Sequence, residues 1–234
     1  MKDFIDTKSL PRLYIDQDAG KPPVMVHVDC GHGGLLQGLY TTKGKQWDFE
    51  DFQIFEGVEN RKTGKRLAEQ FYNNHISYCF TTISNADESL TTRMEYMDHV
   101  VKQYPKYKHV LLSIHHDATE SESDANGVSF YTSPNITDSD FAANLYFPYL
   151  FDMGLRVRVN RAKPQEYDKE SNFFVLRKAE AMGAMAMLFE FGFFTNREEA
   201  LKIMTDEFHQ TCANALYKGT RDLITKLQKD GSPR

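Results

Sequence analysis

Cysteine is scarce in this chain of 234 residues, and its three cysteines stand far apart, at Cys30, Cys79 and Cys212. An odd number without any Cys-x-x-Cys spacing disfavours both a disulfide framework and a metal site built from thiolates. We therefore expect buried or free thiols, so any metal site must use other side chains.

Long apolar runs are also missing. The chain opens with Met-Lys-Asp-Phe-Ile-Asp-Thr-Lys, which lacks the apolar core of a secretory signal peptide. No segment approaches the roughly 18 consecutive apolar residues that a membrane-spanning helix needs. We expect a protein that does not insert into membranes, is made in the cytoplasm, and reaches an outside target only after release or export.

Neither sign of charge dominates. The 28 basic and 33 acidic residues give a formal net charge of −5, and no run of lysine and arginine occurs. This balance disfavours nucleic acid or an anionic membrane as a partner. Internal repeats and low-complexity tracts are missing too, while 41% hydrophobic residues suffice for a buried core. We expect one domain over residues 24–228, preceded by an irregular polar lead-in over 1–23, and a monomer.

The sequence does contain short apolar runs that alternate with amphipathic segments of helical period. The runs predict buried strands over residues 24–29, 76–83, 110–114, 127–132 and 184–190. Helices are predicted from Glu56, over 90–104, over 141–147 with a break at Pro148, and as one long C-terminal helix carrying Leu201, Met204 and Phe208. This alternation predicts an α/β fold: a single domain with a twisted, mostly parallel sheet and helices on both faces.

Polar side chains follow three of the predicted strands. His32 lies in a glycine-rich turn after the first strand, His115 directly follows residue 114, and Glu190 ends the last strand. In open α/β sheets, ligands bind at the edge formed by the carboxyl ends of the strands. We expect the three side chains at that edge. Glu56 can reach it from the helix start, after a segment to residue 55 that should be a functional loop or a small hairpin.

Two imidazoles and one carboxylate are a sufficient ligand set for catalytic zinc, which keeps its fourth position for water. A further carboxylate would then transfer protons. The His-Glu-x-x-His signature is absent. Spacing alone therefore leaves open that His32 is only a polar residue in a turn and that Glu190 belongs to a structural ion pair. Glycines let the backbone approach a metal or substrate closely, which favours a site.

Several short segments resemble, in the same order, the motifs of one known enzyme family. Residues 27–34, HVDCGHGG, are similar to the opening motif of that family, and 56–61, EGVENR, to its second element. Residues 89–93, SLTTR, and 113–118, SIHHDA, resemble the next two, with Asp117 where Asn is commoner. FFVLR at 173–177 and LFEFGFFTN at 188–196 are similar to the closing elements. Over about residues 24–220 the chain thus resembles the N-acetylmuramoyl-L-alanine amidases, a zinc-dependent family that includes many phage endolysins and bacterial wall hydrolases.

The resemblance implies that His32, Glu56 and His115 bind Zn²⁺ and that Glu190 is the catalytic carboxylate. It also implies that the domain over 24–228 is an amidase catalytic domain acting on peptidoglycan. The bond cut would be the amide between the lactyl group of N-acetylmuramic acid and L-alanine, with cell-wall lysis as the outcome, as in phage endolysins. Another zinc amidohydrolase or peptidase, or a catalytically silent wall-binding module of the same fold, is the alternative.

Neighbouring residues compete for two of these roles. Glu59 lies three residues after Glu56, on nearly the same helix face, and is otherwise a surface charge or a group that orients an imidazole. The motif's register favours Glu56. His116 adjoins His115, and adjacent strand residues point to opposite sides, so only one can bind the metal. The register favours His115, and we expect His116 to be a pocket wall or an exposed residue. Asp117 is expected to be a structural cap.

Overall fold

The computed structural model describes residues 10–159 and 167–230, and its centre is a seven-stranded sheet. The strands of this sheet are β1 Leu13–Tyr14, β2 Val24–Cys30, β7 Tyr78–Phe80, β8 Lys108–Asp117, β9 Val128–Thr132, β10 Lys169–Glu170 and β11 Met185–Phe193. Their order across the sheet is β1-β7-β2-β8-β11-β9-β10.

The four central strands β7, β2, β8 and β11 run parallel to one another. β9 pairs antiparallel with β11, and β10 pairs parallel with β9. The mostly parallel sheet predicted from the sequence is confirmed. The carboxyl ends of β2, β8 and β11 therefore meet at one edge, and β8 continues to Asp117, so His115 lies within this strand and not beyond it.

In the described part of the chain, six helices surround the sheet: α1 Glu56–Asn73, α2 Leu90–Gln103, α3 Asp138–Phe151, α4 Phe174–Ala181, α5 Arg197–Ile203 and α6 Asp206–Asp230. Alternate strand residues face opposite layers. Val26 and Val28 pack in the core with α1, α3 and α6, whereas Leu111 and Ala186 pack with α2 and α4. None of the described helices is long and apolar enough to cross a membrane. All three cysteines are free and buried, as expected.

The predicted break at Pro148 is wrong, because α3 runs through it to Phe151. A proline at this position removes the hydrogen bond that its own nitrogen would donate to the carbonyl of Asn144. Both Asn144 and Pro148 are exposed, so water can satisfy that carbonyl. The buried side chains of Tyr146 and Leu150 hold the helix on both sides of the proline.

The single C-terminal helix is also wrong: α5 and α6 are separate. The helical conformation is interrupted at Met204 and Thr205. The Thr205 hydroxyl accepts a hydrogen bond from the Phe208 nitrogen at 3.2 Å. Threonine is one of the residues preferred at the N-terminal cap of a helix, and here it caps α6. Leu201 and Met204, expected on the buried face, are 45% and 37% exposed.

Two small hairpins fill the long segment before α1. They pair β3 Leu35–Leu36 with β4 Leu39–Tyr40, and β5 Gln46–Asp48 with β6 Gln53–Phe55. The lead-in is less irregular than expected. Its described part contributes β1, which pairs antiparallel with β7, and Arg12 donates hydrogen bonds to the carbonyls of Phe80 and Thr81.

Candidate metal and catalytic site

His32 lies in the turn that follows β2, with a backbone φ of 60° in the left-handed region. The glycines around it permit close packing. A Cβ on Gly31 would lie 2.1 Å from Cε1 of His115, and one on Gly57 would lie 1.9 Å from the carbonyl oxygen of Gly33. Only residues without a side chain fit at these two points. The turn is thereby pressed against β8 and the start of α1.

Glu56, the first residue of α1, lies between the two histidines. Its Oε1 is 3.2 Å from Nε2 of His32 and 3.0 Å from Nδ1 of His115. One ligand atom from each of the three residues lies within 4.8 Å of the others. The side chain of Glu56 is only 1% exposed, and its second oxygen, Oε2, has no hydrogen-bond partner among the described residues.

Electrostatics keep Glu56 ionised despite this burial. Burial alone raises the pKa of the carboxyl group, but hydrogen bonds from His115 and His32 outweigh it and hold the pKa well below its ordinary value. The position at the helix N-terminus favours the negative charge further. Burial lowers the pKa of His115, which favours the neutral imidazole that binds metals.

Asn60 and His116 fix the backbone around this group. The Asn60 amide donates a 3.1 Å hydrogen bond to the carbonyl of Gly31, and its oxygen lies 2.7 Å from Nδ1 of His116. The backbone nitrogen of His116 donates to Oε1 of Glu56 at 3.3 Å. His116 thus points away from His115, and its burial lowers its pKa to about 4. His116 is a buried residue that supports the site, so the exposed position considered from the sequence is wrong.

Glu59 does not join the group of His32, Glu56 and His115. Its carboxylate lies 2.8 Å from Nε2 of the buried His209 on α6 and 3.0 Å from the Lys62 ammonium. Both the surface-charge interpretation and a contact with the two candidate histidines are therefore wrong. His209 received no role from its sequence context, because its only signal is one polar residue in an amphipathic helix.

A buried ion pair that the sequence analysis missed lies next to this group. Arg93 on α2 donates hydrogen bonds at 2.9 and 3.1 Å to the two oxygens of Asp29 on β2. Thr81 and Ser113 each donate to the same carboxylate at 2.6 Å. These partners lower the pKa of Asp29 although burial opposes them. The available signal was a charged residue at the end of an apolar strand, three positions before His32.

Glu190 lies on β11, in register with His115 on β8 and with Ser129 on β9. Burial, followed by the charges of Glu56 and Asp117, raises its pKa well above the ordinary value. Its Oε2 is buried without a hydrogen-bond partner, and none of the described cations lies within ion-pairing distance. The structural ion pair considered from the sequence is therefore not found. Asp117 caps no helix: its carboxylate accepts from the adjacent Ala118 nitrogen at 2.9 Å.

The family model for N-acetylmuramoyl-L-alanine amidase matches residues 26–222. The chain belongs to this family. Membership confirms the resemblance of the motifs and makes the chain a hydrolase with N-acetylmuramoyl-L-alanine amidase activity, acting on the peptidoglycan of the cell wall. No curated protein sequence gives a significant match.

Solved structures of amidases share the fold. One from Clostridium difficile 630 is 22% identical with a TM-score of 0.67, covering 88% of this chain and 98% of its own. The enzyme Ami1 from Mycobacterium smegmatis is 16% identical with a TM-score of 0.68, at 87% and 97% coverage. The catalytic domain of the CD27L endolysin targeting Clostridia difficile is 16% identical with a TM-score of 0.56, at 85% and 97% coverage. At these identities the likeness concerns the fold.

Proposed function

We propose that this amidase depends on zinc, that His32, Glu56 and His115 hold the ion, and that Glu190 transfers the protons of the reaction. The observation that carries the proposal is the convergence of three donor atoms within 4.8 Å, two of them imidazole nitrogens and one a carboxylate oxygen. The catalytic unit is residues 24–228. The role in wall lysis after release, and the monomeric state, stay predictions.

The donor set fits zinc in type and number. Catalytic zinc sites combine three histidine and carboxylate ligands with one open position. Glu56 is ionised and His115 favours its neutral form. Oε2 of Glu56 accepts no hydrogen bond from a described residue, and the Lys45 ammonium lies 3.9 Å from it, so this oxygen can still accept a cation. When bound, zinc supplies Lewis acidity, which polarises a carbonyl group and makes water a better nucleophile near neutral pH.

The chain's own contribution to bond cleavage is proton transfer at Glu190. As a carboxylate it accepts a proton from the attacking water, and as a carboxylic acid it donates that proton to the leaving nitrogen of the L-alanine. A raised pKa suits both halves of this exchange, because it makes the carboxylate a stronger base towards the water and keeps the acid form populated for the donation.

Glu56 and Glu59 offer a matched pair of variants for testing the metal assignment. Glu56→Ala should lose bound zinc together with activity, whereas Glu59→Ala should keep most of its zinc, since its carboxylate contacts His209 and Lys62. Metal content is measured by elemental analysis. Activity is measured on purified peptidoglycan by counting new L-alanine amino termini against new reducing sugar ends.

Two results would contradict the proposal. Full activity in a protein verified to be free of metal would exclude zinc dependence. Zinc loss in Glu59→Ala with retention in Glu56→Ala would show that the ligand set is drawn around the wrong glutamate. New reducing ends without new amino termini would instead contradict the amidase reaction itself.

A further inference from the structure

The face of the sheet that carries Glu190 continues past it, away from His115. Ser129 on β9 is directly opposite Glu190, and Lys169 on β10 is in register with Tyr131 on β9. The Lys169 ammonium donates a 2.8 Å hydrogen bond to the hydroxyl of Ser129, the residue opposite Glu190. It also lies 5.3 Å from the centre of the Tyr131 ring.

A second cation, Arg158, borders the same area. Its guanidinium group lies 4.7 Å above the ring of Phe193, the residue of β11 that pairs with Asp117. Arg158 and Lys169 line one surface cleft of about 370 Å³, together with Arg156, Val157 and Val159. Within residues 10–159 and 167–230, no carboxylate lies within ion-pairing distance of either Arg158 or Lys169.

These two cations are partly buried and close enough to influence each other. Burial, and then the charge of Arg158, lowers the pKa of Lys169. The charges of Asp117 and Glu190 act on Lys169 in the opposite direction, but neither carboxylate forms an ion pair with Lys169 or Arg158. Two half-buried like charges that lack a direct ion pair are less favourable than the same charges with a bound anion. Such an arrangement is typical of a site that receives a negatively charged group from a ligand.

We propose that Lys169 and Arg158 form a subsite for a free carboxylate on the stem peptide, located at the second residue, one beyond the L-alanine at the bond that is cut. This inference rests on the proposed function, because Glu190 marks where the scissile amide lies. The substrate class is thereby narrowed to stem peptides that carry a negative charge at this second residue.

The spacing agrees with a carboxylate at that point. Neighbouring strands lie about 4.8 Å apart, so the ammonium of Lys169, bonded to the residue opposite Glu190, lies on the order of 7–8 Å from the Glu190 backbone. An extended peptide covers about 3.3–3.6 Å per residue, and two residues therefore span about 7 Å.

Two soluble substrates that differ by one charge test the subsite. One is N-acetylmuramoyl-L-alanyl-D-glutamate with its α-carboxyl free, and the other carries that carboxyl as an amide. We expect the wild-type kcat/KM to favour the free acid by about 10- to 100-fold, the usual value of a hydrogen bond to a charged group. Lys169→Met and Arg158→Met should each bring this ratio towards one, and the effect should appear mainly in KM.

The ratio of kcat/KM for the free acid to kcat/KM for the amide separates recognition of the carboxylate from a general electrostatic effect on Glu190. If the two cations only tuned Glu190, both substrates would slow equally and the ratio would persist, which would overturn the subsite. Equal wild-type rates on both substrates would overturn it too. Lys178→Met, which removes an exposed lysine on α4, is the matched control and should leave the ratio unchanged.

Binding to the Glu190→Gln variant, followed by calorimetry, gives a readout that needs no turnover. Tighter binding of the free acid than of the amide is expected, and equal binding contradicts the subsite. Failure of the proposed function looks different, because the wild type would then release no amino termini from intact peptidoglycan, whatever the binding of the two dipeptides.

Discussion

The two halves of the site differ in how their charges are paired. On the side of β2, α1 and β8, two buried carboxylates have close partners: Asp29 with Arg93, and Glu59 with His209. On the side of β11, β9 and β10, neither Glu190 nor Lys169, which is bonded to the residue opposite Glu190, forms an ion pair with a described residue.

The difference indicates that the two halves of the site have different roles. A metal site needs ligands held in one arrangement, and a network of satisfied hydrogen bonds supplies that rigidity. A substrate-facing surface needs groups whose unfavourable desolvation is relieved only by the reacting molecule. The paired half should therefore respond to mutation through stability, and the unpaired half through turnover.

Glu190→Gln should produce the largest effect and affect turnover alone. Glutamine keeps the size of the side chain but cannot accept a proton, and general acid–base catalysis is typically worth about 10²–10⁴-fold. Because the pKa of Glu190 is raised in the folded chain, the folded chain keeps a proton that the unfolded chain releases as the pH rises, and the free energy of unfolding falls. Glutamine does not titrate, so the variant should be as stable as the wild type or more stable at pH 7.

Three measurements on that variant decide the point: kcat, zinc content and melting temperature. Glu95→Gln, on the exposed side of α2, is the matched control and should be silent in all three. A stable, zinc-loaded Glu190→Gln protein with near-normal turnover would exclude the proton-transfer role. A sharp loss of stability would instead show that Glu190 has a stabilising partner. The proposed difference between the two halves of the site would then be wrong.

Arg93→Met should have the next largest effect, this time on stability. The substitution leaves Asp29, which is fully buried, without its counter-ion, and breaking a buried ion pair usually costs about 3–5 kcal/mol. Urea unfolding measures the change in the free energy of unfolding. Arg158→Met makes the same substitution in the unpaired half and should change this free energy by less than about 1 kcal/mol. Equal losses in both variants would contradict the comparison.

The smallest effect is a pH dependence in a third region, also fully paired. His27 lies 2.9 Å from His109 and 3.0 Å from the Cys79 thiol, and burial lowers the pKa of both histidines. As the pH falls below about 6.5, the unfolded chain binds protons that the folded chain does not, so stability falls with pH. Each histidine contributes at most about 1.4 kcal/mol per pH unit.

Urea unfolding at pH 7 and pH 5 tests this for the wild type and for His27→Gln combined with His109→Gln. The double variant should lose less stability on acidification. His99→Gln is the control, because His99 is exposed on α2. An identical pH dependence in the wild type and the double variant would show that the pair does not titrate as inferred.

Local sequence determined much of this protein. The apolar runs ending at His32, His115 and Glu190 predicted the strands and the edge at which these side chains meet, because residue type and period report burial directly. The motif register singled out Glu56 over Glu59 and His115 over His116, and the geometry groups Glu56 and His115 with His32. Local rules failed at Pro148, where solvent access lets α3 continue, and at Thr205, where a cap separates α5 from α6.

Only the tertiary structure decided which polar groups became partners. Asp29 and Arg93 are 64 residues apart, Glu59 and His209 are 150 apart, and Ser129 and Lys169 are 40 apart. No local pattern encodes such pairs, because the strand order of the sheet and the packing of α2 and α6 bring them together. The free energy of a charge depends on its distance from other charges and from water. The contrast between a paired and an unpaired half of the site therefore exists only in the folded chain.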